Sequence, residues 1–193
     1  MANQFNILQL FENAFGTRVP ETRFEIPPAD SRTLKSSIGT PLYGEDIYGR
    51  EFFMPITITY IPKGASAGVD YHVPFAVVSI SCRKVIVETP LVERTGTVKE
   101  LVSADDYDLN IKGIIVRPDN NWPDKEIMQL EELFTVNQSI VIRSALTDIF
   151  LKGYYEHHIV IKRVNLPANP GVEHAKPFEL ESVSDAIFTL DVE

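Results

Sequence analysis

Two adjacent histidines, His157 and His158, and an acidic run, Asp105-Asp106 followed by Asp108, come nearest to chemistry in this 193-residue chain. A histidine pair is what a zinc site would use first. Neighbours in a strand point to opposite faces, however, so the pair cannot chelate one ion without a bulge. No HExxH or CxxC spacing supplies further ligands. The pair therefore reads as one half-buried and one solvent-facing histidine opening a strand. His72 and His174 stand in loop-like contexts without a recognisable partner. A calcium loop of EF-hand type starting at Asp105 would need Gly at its sixth position and Glu at its twelfth. Those places hold Asn110 and Val116, so the run is read as a polar turn whose aspartates accept backbone N–H groups.

Nucleophiles are equally scarce. No serine lies in GxSxG, and no glycine loop reads GxxxxGK[ST] or GxGxxG. Cys82 is the only cysteine, which excludes an internal disulfide and a thiolate metal cage. Its apolar run, Ala76 to Cys82, predicts a buried structural thiol. Neither catalysis nor a cofactor is expected. The most patterned stretch is Thr95 to Gly113. Gly96 offers a tight turn, Lys99 and Glu100 offer a charge pair at a corner or subunit contact, and Tyr107 to Ile111 alternates as a core strand should. Gly113 breaks the alternation, as at a bulge or a close backbone approach.

Positioning these residues takes a mostly β chain. Gln4 to Phe15 carries Ile7, Leu8, Phe11 and Phe15 at helical spacing, a short amphipathic helix that must dock on something. Residues 18–50 are rich in Pro, Gly, Ser and Thr with isolated aromatics, as in an arm laid across a partner. From Phe52 the pattern is β: Ile56 and Ile58 oppose Thr57 and Thr59, and Val73 to Val92 gives one long strand or two joined by a bend. One helix is predicted at Asn121 to Phe134, with Asn121 as N-cap, Pro123 in the first turn, and Ile127, Leu130, Leu133 and Phe134 on one side. Strands follow at Ser139 to Ser144 and His157 to Val164. The Pro/Asn/Gly-rich stretch from Asn165 to Pro177 reads as loop, with a last strand near Phe178 to Ser182 or Ala186 to Leu190.

The chain is 44% hydrophobic and 23% charged with a formal net charge of −9. That argues against nucleic acid as the main partner, because phosphate binding needs clustered Lys and Arg. No apolar run approaches the roughly 18 residues that a membrane-spanning helix needs. Met1 to Gly16 lacks a basic n-region and contains Glu12, so synthesis and folding in a cytoplasm are expected.

The run VIVETPLVERTGTVKELVSADDYDLNIKGIIV, followed by WPDKEIMQLEELF, IVIRSALTDIFLKG and HHIVIKRVNLP, resembles the DUF6046 type of protein encoded in prophage and phage tail regions of Bacteroidetes. The resemblance covers about Phe52 to Glu193 and rests on the order of its motifs: Thr-Gly-Thr-Val-Lys-Glu, an Asp-Tyr-x-Leu-x-Ile-x-Gly strand, a Trp-Pro helix entry and a closing Ser-Asp element. It implies a non-enzymatic component of a phage tail or phage-derived contractile injection system, at the baseplate or tube-initiating hub. Such a component would be made in a bacterial cytoplasm and incorporated in the virion tail or injection particle. The implied partners are further copies in a homo-oligomeric ring and other tail proteins; no separate peptidoglycan-binding module is seen.

The expected fold is α+β and predominantly β: an antiparallel sandwich or tail-tube-like split barrel with one packed helix. Residues 1–17 form a helix, 18–50 an arm and 51–193 the β-rich domain. Candidate interface residues are Phe5, Leu8, Phe11, Phe15, Phe24, Tyr43, Tyr48, Lys99 and Glu100, with Gly96 and Gly113 as structural turns. The rival readings are a small-ligand or carbohydrate-binding module using Trp122, Tyr154 and Tyr155, and a metal-dependent hydrolase using His157 or His158.

Overall fold

The computed structural model describes residues 12–16, 40–45, 51–73, 75–92, 95–117, 121–136, 138–153, 155–168 and 174–186. Among the described residues eleven strands run in chain order: β1 Tyr43–Glu45, β2 Glu51–Phe53, β3 Ile56–Tyr60, β4 Val69–Val73, β5 Ala76–Ser81, β6 Lys84–Pro90, β7 Thr97–Ala104, β8 Asp108–Val116, β9 Ile140–Arg143, β10 His158–Asn165 and β11 Ala175–Ser184. Helix α1 spans Asp124–Thr135, and α2 is a single turn at Thr147–Phe150. Seven strands form one antiparallel sheet in the order β4-β3-β9-β10-β11-β8-β5, beside two separate two-stranded pairs, β1-β2 and β6-β7. The fold is therefore α+β, predominantly β and antiparallel, and the sheet does not close.

Alternation sets the inward faces. Ile56, Ile58 and Tyr60 are buried between half-exposed Thr57 and Thr59, and Leu109 and Ile111 are buried opposite Asp108, Asn110 and Lys112. From Gly113 to Val116 every residue of β8 is buried, as a strand covered on both faces requires. Leu130 and Leu133 of α1 join Ile58, Tyr71, Val73, Ala76, Ile111 and Phe178 in a single apolar cluster.

One cluster can hold residues from both ends of the sheet because the chain ties those ends together. Strands β4 and β5 stand at opposite ends of the strand order, yet only Pro74 and Phe75 separate them. Each neighbour in the sheet is antiparallel to the next, so β4 and β5 run in the same direction. They are two halves of one bent strand, the first half paired to β3 and the second to β8. Phe75, at φ 45°, makes the bend. The sheet must curl to bring β3 and β8 to this strand, and it remains split where each half lacks a second neighbour.

Three local expectations change. The helix begins at Asp124, and Pro123 rather than Asn121 holds the N-cap position, with no side-chain cap bond. Phe134 lies at the exposed edge of α1 instead of in the core. Strand β11 begins at Ala175 and includes Pro177, inside the stretch read as loop. Its last pairing with β10 is Glu179 to Asn165, so at Pro177 only β8 is alongside and the missing N–H costs no bond to β10.

Gly113 sits in unbroken register with Phe178 and Ala76, so no bulge is present and the close approach explains it. A Cβ there would lie 2.5 Å from Phe178 Cζ and 3.0 Å from Ala76 Cβ. Gly113→Ala is expected to cost about 2 kcal/mol, since the fully buried ring cannot retreat. Urea unfolding should show a lower midpoint with unchanged slope, and Phe178→Leu in the same chain should recover part of the loss.

Candidate assembly surfaces

Strands β5 and β8 continue outward as β6 and β7. The join is pinned at its base, where Asp105 N–H donates to the Arg83 carbonyl at 2.8 Å and the Arg83 guanidinium binds the Asp105 carboxylate. That pairing holds Asp105 below the usual carboxylate range. Past this base the ribbon leaves the body. Every residue of β6 and β7 is exposed, including Val85, Ile86, Val87, Val98, Leu101 and Val102. Seven residues of strand project roughly 23 Å. Gly96, at φ 111°, shapes the turn at the tip, where Leu91 N–H reaches its carbonyl at 3.4 Å.

The stretch from Thr95 to Gly113 thus runs from the tip of a bare ribbon into the core. Lys99 and Glu100 do not pair with each other, because successive strand residues point to opposite faces. Lys99 Nζ instead lies 3.2 Å from Glu88 Oε1, directly across the ribbon, and Glu100 stands opposite Val87. Cys82, expected to be buried, is exposed at the ribbon base. The ribbon itself was not anticipated. Its signal was present in two β-rich runs either side of Gly96.

The N-terminal candidates divide. Phe5, Leu8, Phe11, Phe24 and Tyr48 lie outside the described residues. Residues 12–15 are helical, and Phe15 places its ring 5.2 Å from Lys112 Nζ on β8. Tyr43 packs edge-on against Phe53 within the β1-β2 pair, ring centroids 5.5 Å apart. Just before β1, the Thr40 hydroxyl donates to Asp148 Oδ2 at 2.7 Å across 108 positions of sequence. Asp148 is buried and also receives Arg143 Nε at 2.8 Å and Nη2 at 3.1 Å. One carboxylate therefore ties the chain entering β1 to β9 and α2.

His158 alone opens β10; His157 sits at φ 65° in the turn before it. Both are half-buried, where the sequence reading had both in the strand and one facing solvent. Burial first, and then the Arg143 charge, holds the His157 imidazole below its ordinary pKa, against the pull of Asp148 at 3.5 Å. Among the described residues no group of three or more His, Cys, Asp and Glu could hold a metal ion. Asp105 accepts the Asp106 N–H at 3.1 Å, the turn role read from the sequence. Of the three aromatics in the ligand-binding reading, two are described. Tyr155 turns inward against Tyr107 at 5.3 Å, Trp122 is exposed alone, and Tyr154 lies outside the described residues. A groove of about 520 Å³ runs over β4, β3 and β9, lined by Thr57, Thr59, Asp70, His72 and Arg143. Its own side chains partner one another, His72 with Thr57 and Asp70 with Thr59. No helix among the described residues is long and apolar enough to cross a membrane.

Residues 72–193 match the family described as a domain of unknown function, DUF6046, and the chain belongs to that family. No curated protein matches it. Among solved structures, the chain is similar to a subunit in the tail of an empty gene transfer agent particle determined with C6 symmetry. Identity there is 13%, the alignment covers 71% of this chain and 96% of that one, and the TM-score is 0.40. It is also similar to a chain in the virion of the native gene transfer agent, at 12% identity, 68% and 92% coverage, and a TM-score of 0.35.

Two outcomes test the anchors. Asp148→Ala is expected to lose about 3 kcal/mol, because it strips a buried partner from Arg143 and Thr40 together. Denaturant midpoints check this. For His157, whose folded pKa is depressed, stability is full above the unfolded value of about 6.5 and is lost as pH falls through the folded value. The melting temperature of the wild type should therefore drop more between pH 7.5 and 5.5 than that of His157→Asn, a variant that tolerates the left-handed backbone.

Proposed function

We propose that this protein is a structural, non-enzymatic subunit of a phage tail or phage-derived injection particle. It acts at the baseplate or tube-initiating hub and assembles with further copies and other tail proteins. The observation that carries the assembly part is the β6-β7 ribbon. A lone two-stranded hairpin is marginal in water, and this one exposes apolar side chains along its whole length, which favours burial against another chain. Family membership directs the reading towards a tail, as the sequence resemblance implies.

Two other surfaces support assembly. Among the described residues β5 has β8 on one side only, and it contains neither charge nor proline, so that edge suits pairing with a neighbour. Ahead of β1, the sequence assigns a helix and an arm to a neighbouring subunit, with Phe5, Leu8, Phe11 and Phe24 as anchors, while Phe15 lies over Lys112 of its own chain. Tyr43 and Tyr48 follow nearer the β1-β2 pair. The acidic chain suits a passage that DNA traverses without sticking.

Replacing residues 84–104 by Asn-Gly, which joins Arg83 to Asp105 through a tight turn, tests this directly. The shortened protein should keep its circular dichroism and melting temperature, since the ribbon adds nothing to the core. Light scattering should find it monomeric where the full-length chain, alone or with its neighbouring gene products, forms a larger complex. A full-length chain that stays monomeric beside those partners would sink the assembly reading.

A further inference from the structure

Directly opposite residues in an antiparallel pair share a face, so beyond the register shift between Val85 and Ile86 the pairing divides the ribbon into two faces. Ile86 opposite Leu101 and Glu88 opposite Lys99 occupy one face; Val87 opposite Glu100 and Thr89 opposite Val98 occupy the other. Each face therefore carries its own apolar pair: Ile86 and Leu101 at 46% and 62% exposure, Val87 and Val98 at 48% and 43%. A ribbon that lay flat on one partner would bury one pair and leave the other in water. A body-facing strand such as β3 instead alternates apolar with polar and buries one side.

We infer that the ribbon of one copy is gripped between two further copies of this chain, one against each face. This rests on the assembly reading above and gives it a geometry. Charge decides the partner. Lys84, Arg94 and Lys99 balance Glu88, Glu93 and Glu100, so residues 84–104 are neutral and the formal −9 lies entirely outside them. Copies of an acidic chain repel across most of their surface, and this neutral segment is where two can meet without that cost. The Glu88–Lys99 pair satisfies those two charges within the ribbon.

The alternatives fit less well. A nucleic acid would need net positive charge, which the ribbon lacks. A membrane surface would need one apolar face and one polar face, whereas here Glu88 and Glu100 fall on opposite faces. Because each copy donates one ribbon and receives ribbons from others, the contact is heterologous. It propagates into a ring or a stack and does not stop at a two-fold dimer.

Two full-length double variants separate the faces: Ile86→Lys with Leu101→Lys, and Val87→Lys with Val98→Lys. All four positions are exposed, so circular dichroism and melting temperature should match the wild type. Sedimentation over a concentration series should show each variant needing at least tenfold more protein to assemble. If only one variant is impaired, the ribbon docks on one side and the two-sided grip is wrong, while the assembly reading stands. If both assemble like the wild type, and so does the chain lacking residues 84–104, the ribbon plays no part and both readings fall.

Discussion

The architecture depends on one bent strand. Residues 69–81 pair to β3 in their first half and to β8 in their second, and those partners stand near opposite ends of the same sheet. With two residues between the halves, the sheet has to curl. Curling brings Ile58, Leu109, Ile142 and Phe178 into one apolar cluster and leaves α1 to cover it with Leu130 and Leu133. It also explains the tight place at Gly113, where Ala76 just past the bend, β8 and the Phe178 ring on β11 meet too closely for a side chain. Among the described residues each half of the bent strand pairs on one side only, so the curled sheet stays open there.

Once β5 and β8 are paired, the hairpin they begin has no reason to stop at the edge of the core. It runs on through the Arg83–Asp105 base for another seven or eight residues per strand. Inside the base β8 buries six of its nine residues and β5 turns Ala76, Val78 and Ile80 at least partly inward; outside it, every residue is exposed. Stability of the body and the chemistry of the ribbon are thereby separated. Core positions are fixed by close packing, where a single methyl group is felt. Ribbon positions are free of that demand, and Val85, Ile86, Val87 and Leu101 are nonetheless apolar.

Where the local pattern and the tertiary environment agreed, the sequence was legible. Ile56 and Ile58 against Thr57 and Thr59, Leu109 and Ile111 in β8, and Leu130 and Leu133 in α1 all face as their periodicity requires. The failures share a cause: pattern alone does not say what lies beyond a strand. Cys82 sits in an apolar run like any core strand, but the run ends at the ribbon base, where nothing covers it. Pro177 reads as a breaker, and does no harm where β11 has run past β10. Lys99 and Glu100 look like a pair because they are adjacent, but in a strand the partner lies across the ladder, at Glu88. The anchor at Asp148 was not legible locally, since its donors come from positions 40 and 143 and the first of them is 108 positions away.

That anchor bears on how the chain can act as a building block. A subunit that assembles through projecting segments must hold their roots rigidly, or the ordering entropy of each contact is lost again at every joint. Both roots here are held by charge-assisted hydrogen bonds, which are shorter and stronger than neutral ones. The ribbon leaves through Arg83 and Asp105, and the chain enters β1 through Thr40 and the buried Asp148. Between the roots lies a body whose groove polar groups partner one another and whose Tyr155 packs against Tyr107. Exposed apolar side chains run along the ribbon, while those on the body, such as Met128 and Ile149, are scattered. That distribution suits a part whose partner is another protein surface, presented repeatedly in a fixed orientation.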